Sequence, residues 1–323
     1  KMKKAIHILF IHFLFIHLGG GLLAQEANIS KQIEEVFNYL ESTSGFHGTV
    51  LVSKQGNIVF NKAYGYIGAH AETATTLNTA FDVGSAIKPF TALGVLILAD
   101  AGKLSLDNPL STFFPEFPHK DIHLKHLLTH TSGLPDYPHN HGFISYLGKL
   151  KAGSPAYESS NLDLIQWLSL PGTQRQSMPG EKFRYCNAGY VILASVIEKV
   201  TGQSLYSFLR ENILEPAAMY DTKFYDQVQD YEPEQRAEGM EYALDGKHLK
   251  RAGSQHESSG IYGDGGLYST AGDLYKFKKF LFSGKLLSDS LLEESLSPYV
   301  RNDGNVCPYG YGWIIRKEGY HHR

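Results

Sequence analysis

Ser85 and Lys88 are the residues whose types and spacing point most directly to covalent chemistry. They stand in Phe81-Asp82-Val83-Gly84-Ser85-Ala86-Ile87-Lys88-Pro89-Phe90, three positions apart. One helical turn brings such a pair onto one face. A serine hydroxyl is a weak nucleophile until a base takes its proton. From Ser85 to Ala101 the chain is almost wholly apolar after Lys88, which reads as a helix buried on every side. Burial disfavours the charged form of an amine, and a neutral lysine can take the serine proton. The helix N-terminus adds partial positive charge that favours an alkoxide and a developing oxyanion. Pro89 cannot donate to the Ser85 carbonyl, and it biases Lys88 away from helical angles. Ser-x-x-Lys arises about once by chance in a chain this long, and the bland reading is a capping serine beside a solvated lysine. This occurrence is the only one, and it lies at the mouth of an apolar helix, where a surface lysine is out of place.

A second group is Phe183-Arg184-Tyr185-Cys186-Asn187, just ahead of an apolar run from Ala188. In an extended segment residues i and i+2 face the same way. Tyr185 can then share protons with Ser85 and a leaving group, while the Asn187 amide holds a substrate carbonyl. The bland alternative is a core tyrosine and an N-capping asparagine. His119, His123, His126, His130, His139 and His141 crowd one region. The i, i+4 pair His126 and His130 raises a zinc hydrolase as a rival. No Glu follows His126, so the His-Glu-x-x-His pattern fails.

The elements that must position these groups read as mixed α and β. Residues 29–40 have helical apolar spacing. Residues 49–52 and 58–60 flank Gln55-Gly56-Asn57 as a hairpin. The buried helix stops at Gly102, a plausible C-terminal cap. A further apolar helix covers 188–200 and ends at Gly202, another covers 204–214, and 271–282 and 288–296 are amphipathic. Residues 135–155 and 226–266 read as long polar loops. Helices dominate the middle and strands the ends, which fits an α+β chain.

Hydrophobic residues are 42% and charged residues 20% of the 323, which excludes a disordered chain. A net charge of −3 and the absence of a basic, aromatic-rich stretch exclude a nucleic-acid partner. Two cysteines, Cys186 and Cys307, exclude a disulfide framework and leave one bridge open. Residues 1–24 open with Lys1, Lys3 and Lys4, continue through an apolar run and end at Ala24. That is the pattern of a secretory signal, shorter than the ~20 apolar residues of a membrane span. Export to the periplasm or the extracellular space follows. An uncleaved signal segment is the one route to a membrane.

Taken in order, Ser85-Ala86-Ile87-Lys88, His126-Leu127-Leu128-Thr129-His130-Thr131-Ser132-Gly133-Leu134, Tyr185-Cys186-Asn187, Gly265-Gly266-Leu267-Tyr268-Ser269-Thr270-Ala271-Gly272-Asp273-Leu274 and Tyr309-Gly310-Tyr311-Gly312-Trp313 resemble the serine β-lactamase and penicillin-binding-protein superfamily. The nearest branch is that of class C β-lactamases, D-alanyl-D-alanine carboxypeptidases and related esterases. The resemblance runs from about residue 30 to the end. It implies an antiparallel sheet with flanking helices plus a mostly helical part, roughly residues 85–299, with the site in the cleft between them. Residues 25–323 would form this one domain. By the same resemblance Ser85 is the acylated nucleophile, Lys88 its general base, Tyr185 a base and proton donor, and Asn187 a substrate contact. His126 and His130 become structural residues beside the cleft, and no metal or other cofactor is needed.

Relatives carry Lys-Thr-Gly or His-x-Gly after the Gly-Trp string. Here the chain closes on His321-His322-Arg323, so His322 is the expected start of His-x-Gly, in contact with substrate, and the natural chain is expected to continue with Gly. The other reading makes these ordinary tail residues. A His-x-Gly motif leans toward a D-amino-acid peptidase or esterase over a dedicated β-lactamase. A small molecule or peptide is the expected partner, and oligomeric state is not readable. Because fold does not fix function, the alternative is a non-catalytic sensor of peptidoglycan fragments or β-lactams.

Overall fold

Apolar periodicity and glycine punctuation account for most of the elements. The structure, a computed structural model, describes residues 27–68, 73–154, 156–230, 232, 235–242, 249–251 and 260–316. Residues 1–24 and His322 lie outside the described residues.

The chain divides into two compact units. The first comprises residues up to Ala80, with 232–251 and 270–272. Its helix α1 covers residues 27–44. Strands β1 (Gly48–Lys54) and β2 (Asn57–Tyr64) form an antiparallel hairpin. The two-residue connection is made by Gln55 and Gly56, both at positive φ (50° and 81°), the twist that a tight hairpin requires. Phe37 of α1 packs 5.2 Å from Phe46 and 5.7 Å from Tyr64 of β2, ring centre to ring centre.

The second unit comprises 81–231, 252–269 and 273–323. It holds β3 (Phe81–Asp82), a 3₁₀ turn at Gly84–Ile87, and helices α2 (Lys88–Asp100), α3 (Leu124–Leu128), α4 (His141–Gly153), α5 (Asn161–Leu168), α6 (Asn187–Thr201) and α7 (Leu205–Leu209). β4 is Lys223–Phe224. β5 (Met240–Tyr242) and β6 (Leu249–Arg251) pair within the first unit. β7 (Leu267–Ser269) runs antiparallel between β3 and β4. Helices α8 (Ala271–Leu281) and α9 (Asp289–Ser295) follow.

Helix α2 is buried on every side, as its composition requires: Phe90 through Leu96 are all inaccessible. It stops in a Schellman cap. Gly102 adopts φ 68°, its N–H reaches the Ala99 carbonyl at 2.9 Å, and the Lys103 N–H reaches that of Leu98 at 2.9 Å. The second apolar helix, α6, buries Ala188–Ile197 and ends at Gly202, φ 70°. Helices α2, α6 and α7 meet at Gly94, where an added Cβ would lie 2.8 Å from an Ile197 methyl.

The segment 135–155, expected as a loop, contains α4. Asn140 caps it by accepting from the Gly142 and Phe143 N–H groups. Three glycines dilute its apolar face, on which Phe143 alone is buried, so periodicity gave little signal. The short α3 and α5 were likewise not anticipated, since five and eight residues are too few to show a period. Cys186 and Cys307 are both buried free thiols.

Gly263 threads the chain between helices. At φ 109° an added Cβ would lie 2.6 Å from the Ala194 Cβ and 2.8 Å from the Tyr190 carbonyl oxygen. Gly263→Ala should destabilise the protein by about 1–3 kcal/mol. Gly148→Ala, in the interior of α4 with open space around it, should stabilise by about 0.5–1 kcal/mol. Urea unfolding of both variants checks the pair. Equal effects would mean that the close approach at Gly263 is not rigid.

Candidate active site

Ser85 is delivered by a sharp entry into α2. Gly84, at φ 51°, donates its N–H to Asp82 Oδ1 at 2.8 Å. The 3₁₀ turn then leaves Ser85 exposed and Lys88 1% accessible. Contrary to the proline-based expectation, Lys88 is helical (φ −54°, ψ −41°), and its N–H bonds the Ser85 carbonyl. Pro89 sits in the first turn of α2, where no intrahelical donor is needed, and the packing of Lys88 outweighs the local bias.

The Lys88 ammonium makes three hydrogen bonds: to Ser85 Oγ at 3.1 Å, Asn187 Oδ1 at 2.8 Å and the Asp264 carbonyl at 2.9 Å. Its Nζ also lies 5.0 Å from the centre of the Tyr185 ring and 5.6 Å from that of Tyr190. A buried cation without such partners would be costly. The Asp264 carbonyl is held by the loop around it. Gly263 accepts from Thr91 Oγ1 of α2 at 2.7 Å, and Asp264 Oδ2 accepts from Tyr137 at 2.9 Å.

The alternation read in Tyr185-Cys186-Asn187 is present. Cys186 is extended (φ −143°, ψ 111°) and buried, whereas Tyr185 is 44% exposed. Burial pushes the Cys186 thiol up to about 12, so it packs as an inert side chain. Tyr185 and Asn187 both flank Lys88. Asn187 differs from its expected role in one respect: its Oδ1 serves Lys88, and its Nδ2 donates to Asp136 Oδ2 at 2.8 Å.

Asp136 is the residue that sequence reasoning missed. Its Oδ1 accepts from the Ala188 N–H at 3.1 Å. Ala188 lies in the first turn of α6, whose N-cap residue, Cys186, makes no side-chain cap bond. A carboxylate there satisfies an orphan donor and meets the positive end of the helix. It thereby fixes the start of α6 and the orientation of Asn187. Asp136 closes the string His-Thr-Ser-Gly-Leu-Pro-Asp, but its type and position alone gave no chemical signal.

His126 and His130 do not converge as ligands. The His126 Nδ1 accepts the His123 N–H at 3.1 Å, and His130 Nδ1 lies against the backbone of Cys186. Burial, with His123 and Lys125 nearby, lowers the His126 pKa to about 4. Burial, with Lys88 nearby, lowers that of His130 to about 3. Both are neutral near pH 7. Among the described residues no three of His, Cys, Asp and Glu gather as a metal-ligand set.

A family model described as Beta-lactamase matches residues 34–323. Penicillin-binding protein 4* of Bacillus subtilis is 31% identical over 297 residues, which is 90% of this chain and 64% of that protein. Teichoic acid D-alanine hydrolase of Staphylococcus aureus is 29% identical over 275 residues, 83% of this chain and 60% of that one. The chain thus spans less than two thirds of either relative. The crystal structure of a penicillin-binding protein from Bacillus halodurans superimposes with a TM-score of 0.71 at 30% identity, covering 87% of this chain and 84% of that chain. With its mixed helices and sheets in the β-lactamase/transpeptidase-like arrangement, the chain belongs to the beta-lactamase family.

Proposed function

We propose that the protein is an exported serine hydrolase that works through an acyl-enzyme on Ser85. The observation that carries this reading is the 3.1 Å hydrogen bond between an exposed serine and a buried lysine. When Lys88 gives up one proton, its two remaining N–H bonds can stay on Asn187 Oδ1 and the Asp264 carbonyl. The lone pair then faces Ser85 Oγ. Ser85 Oγ attacks the substrate carbonyl carbon, and its proton passes to Lys88 Nζ. The oxyanion forms beside the Ser85 N–H, in the first turn of a helix where such donors lack intrahelical partners. Tyr185, whose ring lies beside the Lys88 amine, gives a proton to the departing amine or alkoxide and draws one from the water that hydrolyses the ester. Asn187 orients Lys88 and offers its second amide proton to the substrate. His322 is proposed to complete substrate binding, and residues 1–24 to direct export.

The substrate class we propose is an amide or ester of a D-amino acid, with a dedicated β-lactamase less favoured. The relative acting on teichoic acid D-alanine supports this, as does the His-x-Gly reading. A non-catalytic sensor built on the same cleft would acylate without turnover, so turnover decides between them.

The following outcomes are expected of the full-length protein. A labelled penicillin or fluorophosphonate should add mass at Ser85, and the label should vanish in Ser85→Ala. A p-nitrophenyl ester or D-alanyl-D-alanine peptide should turn over many times per enzyme; label that survives Ser85→Ala would end the assignment. Lys88→Ala and Tyr185→Phe should each lower kcat by orders of magnitude, with the double variant little worse than either, since groups acting as a unit lose non-additively. Chelators should leave the rate unchanged, and additive losses would count against the shared proton path. Asp136→Ala should slow acylation and lower stability by about 1–3 kcal/mol, the cost of leaving buried donors unpaired. Unaltered acylation with lowered stability would restrict Asp136 to capping α6.

A further inference from the structure

His130 is costly to keep where it is. Its φ is +56°, a value uncommon outside glycine, although histidine takes it more often than most side chains do. It is 1% accessible, and its Nε2 has no hydrogen-bond partner among the described residues. A buried polar atom of that kind costs about 1–3 kcal/mol. Strain and an unmet polar atom in one residue are found where the position serves a site.

What the residue does with this conformation is specific. Its carbonyl accepts the Arg184 N–H at 2.8 Å. Its Nδ1 lies 3.1 Å from the nitrogen and 3.2 Å from the oxygen of Cys186, so either tautomer bonds that backbone. Its ring lies 4.3 Å from the Tyr185 ring, centre to centre, at 35°. One residue therefore grips the chain on both sides of Tyr185 and braces its ring. The Tyr190 and Tyr309 rings, 5.1 Å and 4.5 Å away, close the other sides. At this positive φ the carbonyl and the imidazole of one residue both reach the same segment.

We infer that His130 is a positioning residue for Tyr185, setting the phenol against Lys88 and Ser85. This role goes beyond a structural place in the 126–134 string, and it rests on the proposed proton-transfer role of Tyr185. The alternative is that His130 only fills the core, in which case its loss lowers stability and leaves the chemistry alone.

The test compares His130→Ala with His130→Asn, each also in the Tyr185→Phe background. The readouts are the rate of covalent labelling by a fluorescent penicillin, kcat and KM for p-nitrophenyl acetate, and the melting temperature. Asparagine tolerates positive φ, and its Oδ1 takes the place of Nδ1. His130→Ala should lower kcat and the labelling rate about 10–100-fold with little change in KM, since a misplacement of about 1 Å costs this much. His130→Asn should recover most of the loss. In the Tyr185→Phe background, already slowed, His130→Ala should cost little more. An additive double variant, or His130→Asn as slow as His130→Ala at equal melting temperature, overturns the inference alone. Tyr185→Phe at the wild-type rate overturns the reading beneath it, and the inference with it.

Discussion

The buried amine of Lys88 is the constraint around which the rest is arranged. A side chain of this kind, 1% accessible at the start of an apolar helix, must have its protons met by acceptors or give up its charge. The fold supplies three acceptors from three separate stretches of chain: Ser85 one turn earlier, Asn187 at the start of α6, and the Asp264 carbonyl on the approach to β7. These residues lie 3, 99 and 176 positions from Lys88. Meeting the needs of one nitrogen therefore fixes α2, α6 and the 263–266 loop against one another.

Two of these acceptors are themselves held. Thr91 and Tyr137 anchor Gly263 and Asp264. Asp136 bonds Asn187 and the first turn of α6 together. His130 grips the segment that carries Tyr185 from both sides. These outer groups reach the inner ones through hydrogen bonds. They restrict the rotamers of the inner ones, which is how a preorganised site limits the reorganisation needed during reaction.

Much of this was legible in the sequence. The apolar runs of α2 and α6 and their terminal glycines marked both helices, because burial on every side and a left-handed cap leave direct traces in residue type. Ser85, Lys88, Tyr185 and Asn187 could be singled out, since hydroxyl, amine, phenol and amide carry their chemistry visibly. The Asp264 acceptor could not be found, because a backbone carbonyl has no sequence signature. Nor could Asp136, whose bonds to Asn187 and Ala188 span more than fifty positions. Lys88 took helical angles against the pull of Pro89, because tertiary packing outweighs a local backbone preference. Helix α4 escaped because a single buried residue does not make a period.

The most direct test of this account is a crystal structure of the protein reacted with penicillin. Continuous density from Ser85 Oγ to the opened lactam carbonyl is expected, with Lys88 Nζ still within hydrogen-bonding distance of Asn187 Oδ1 and the Asp264 carbonyl. Density joined to any other side chain, or Lys88 withdrawn from both acceptors in the adduct, would contradict it.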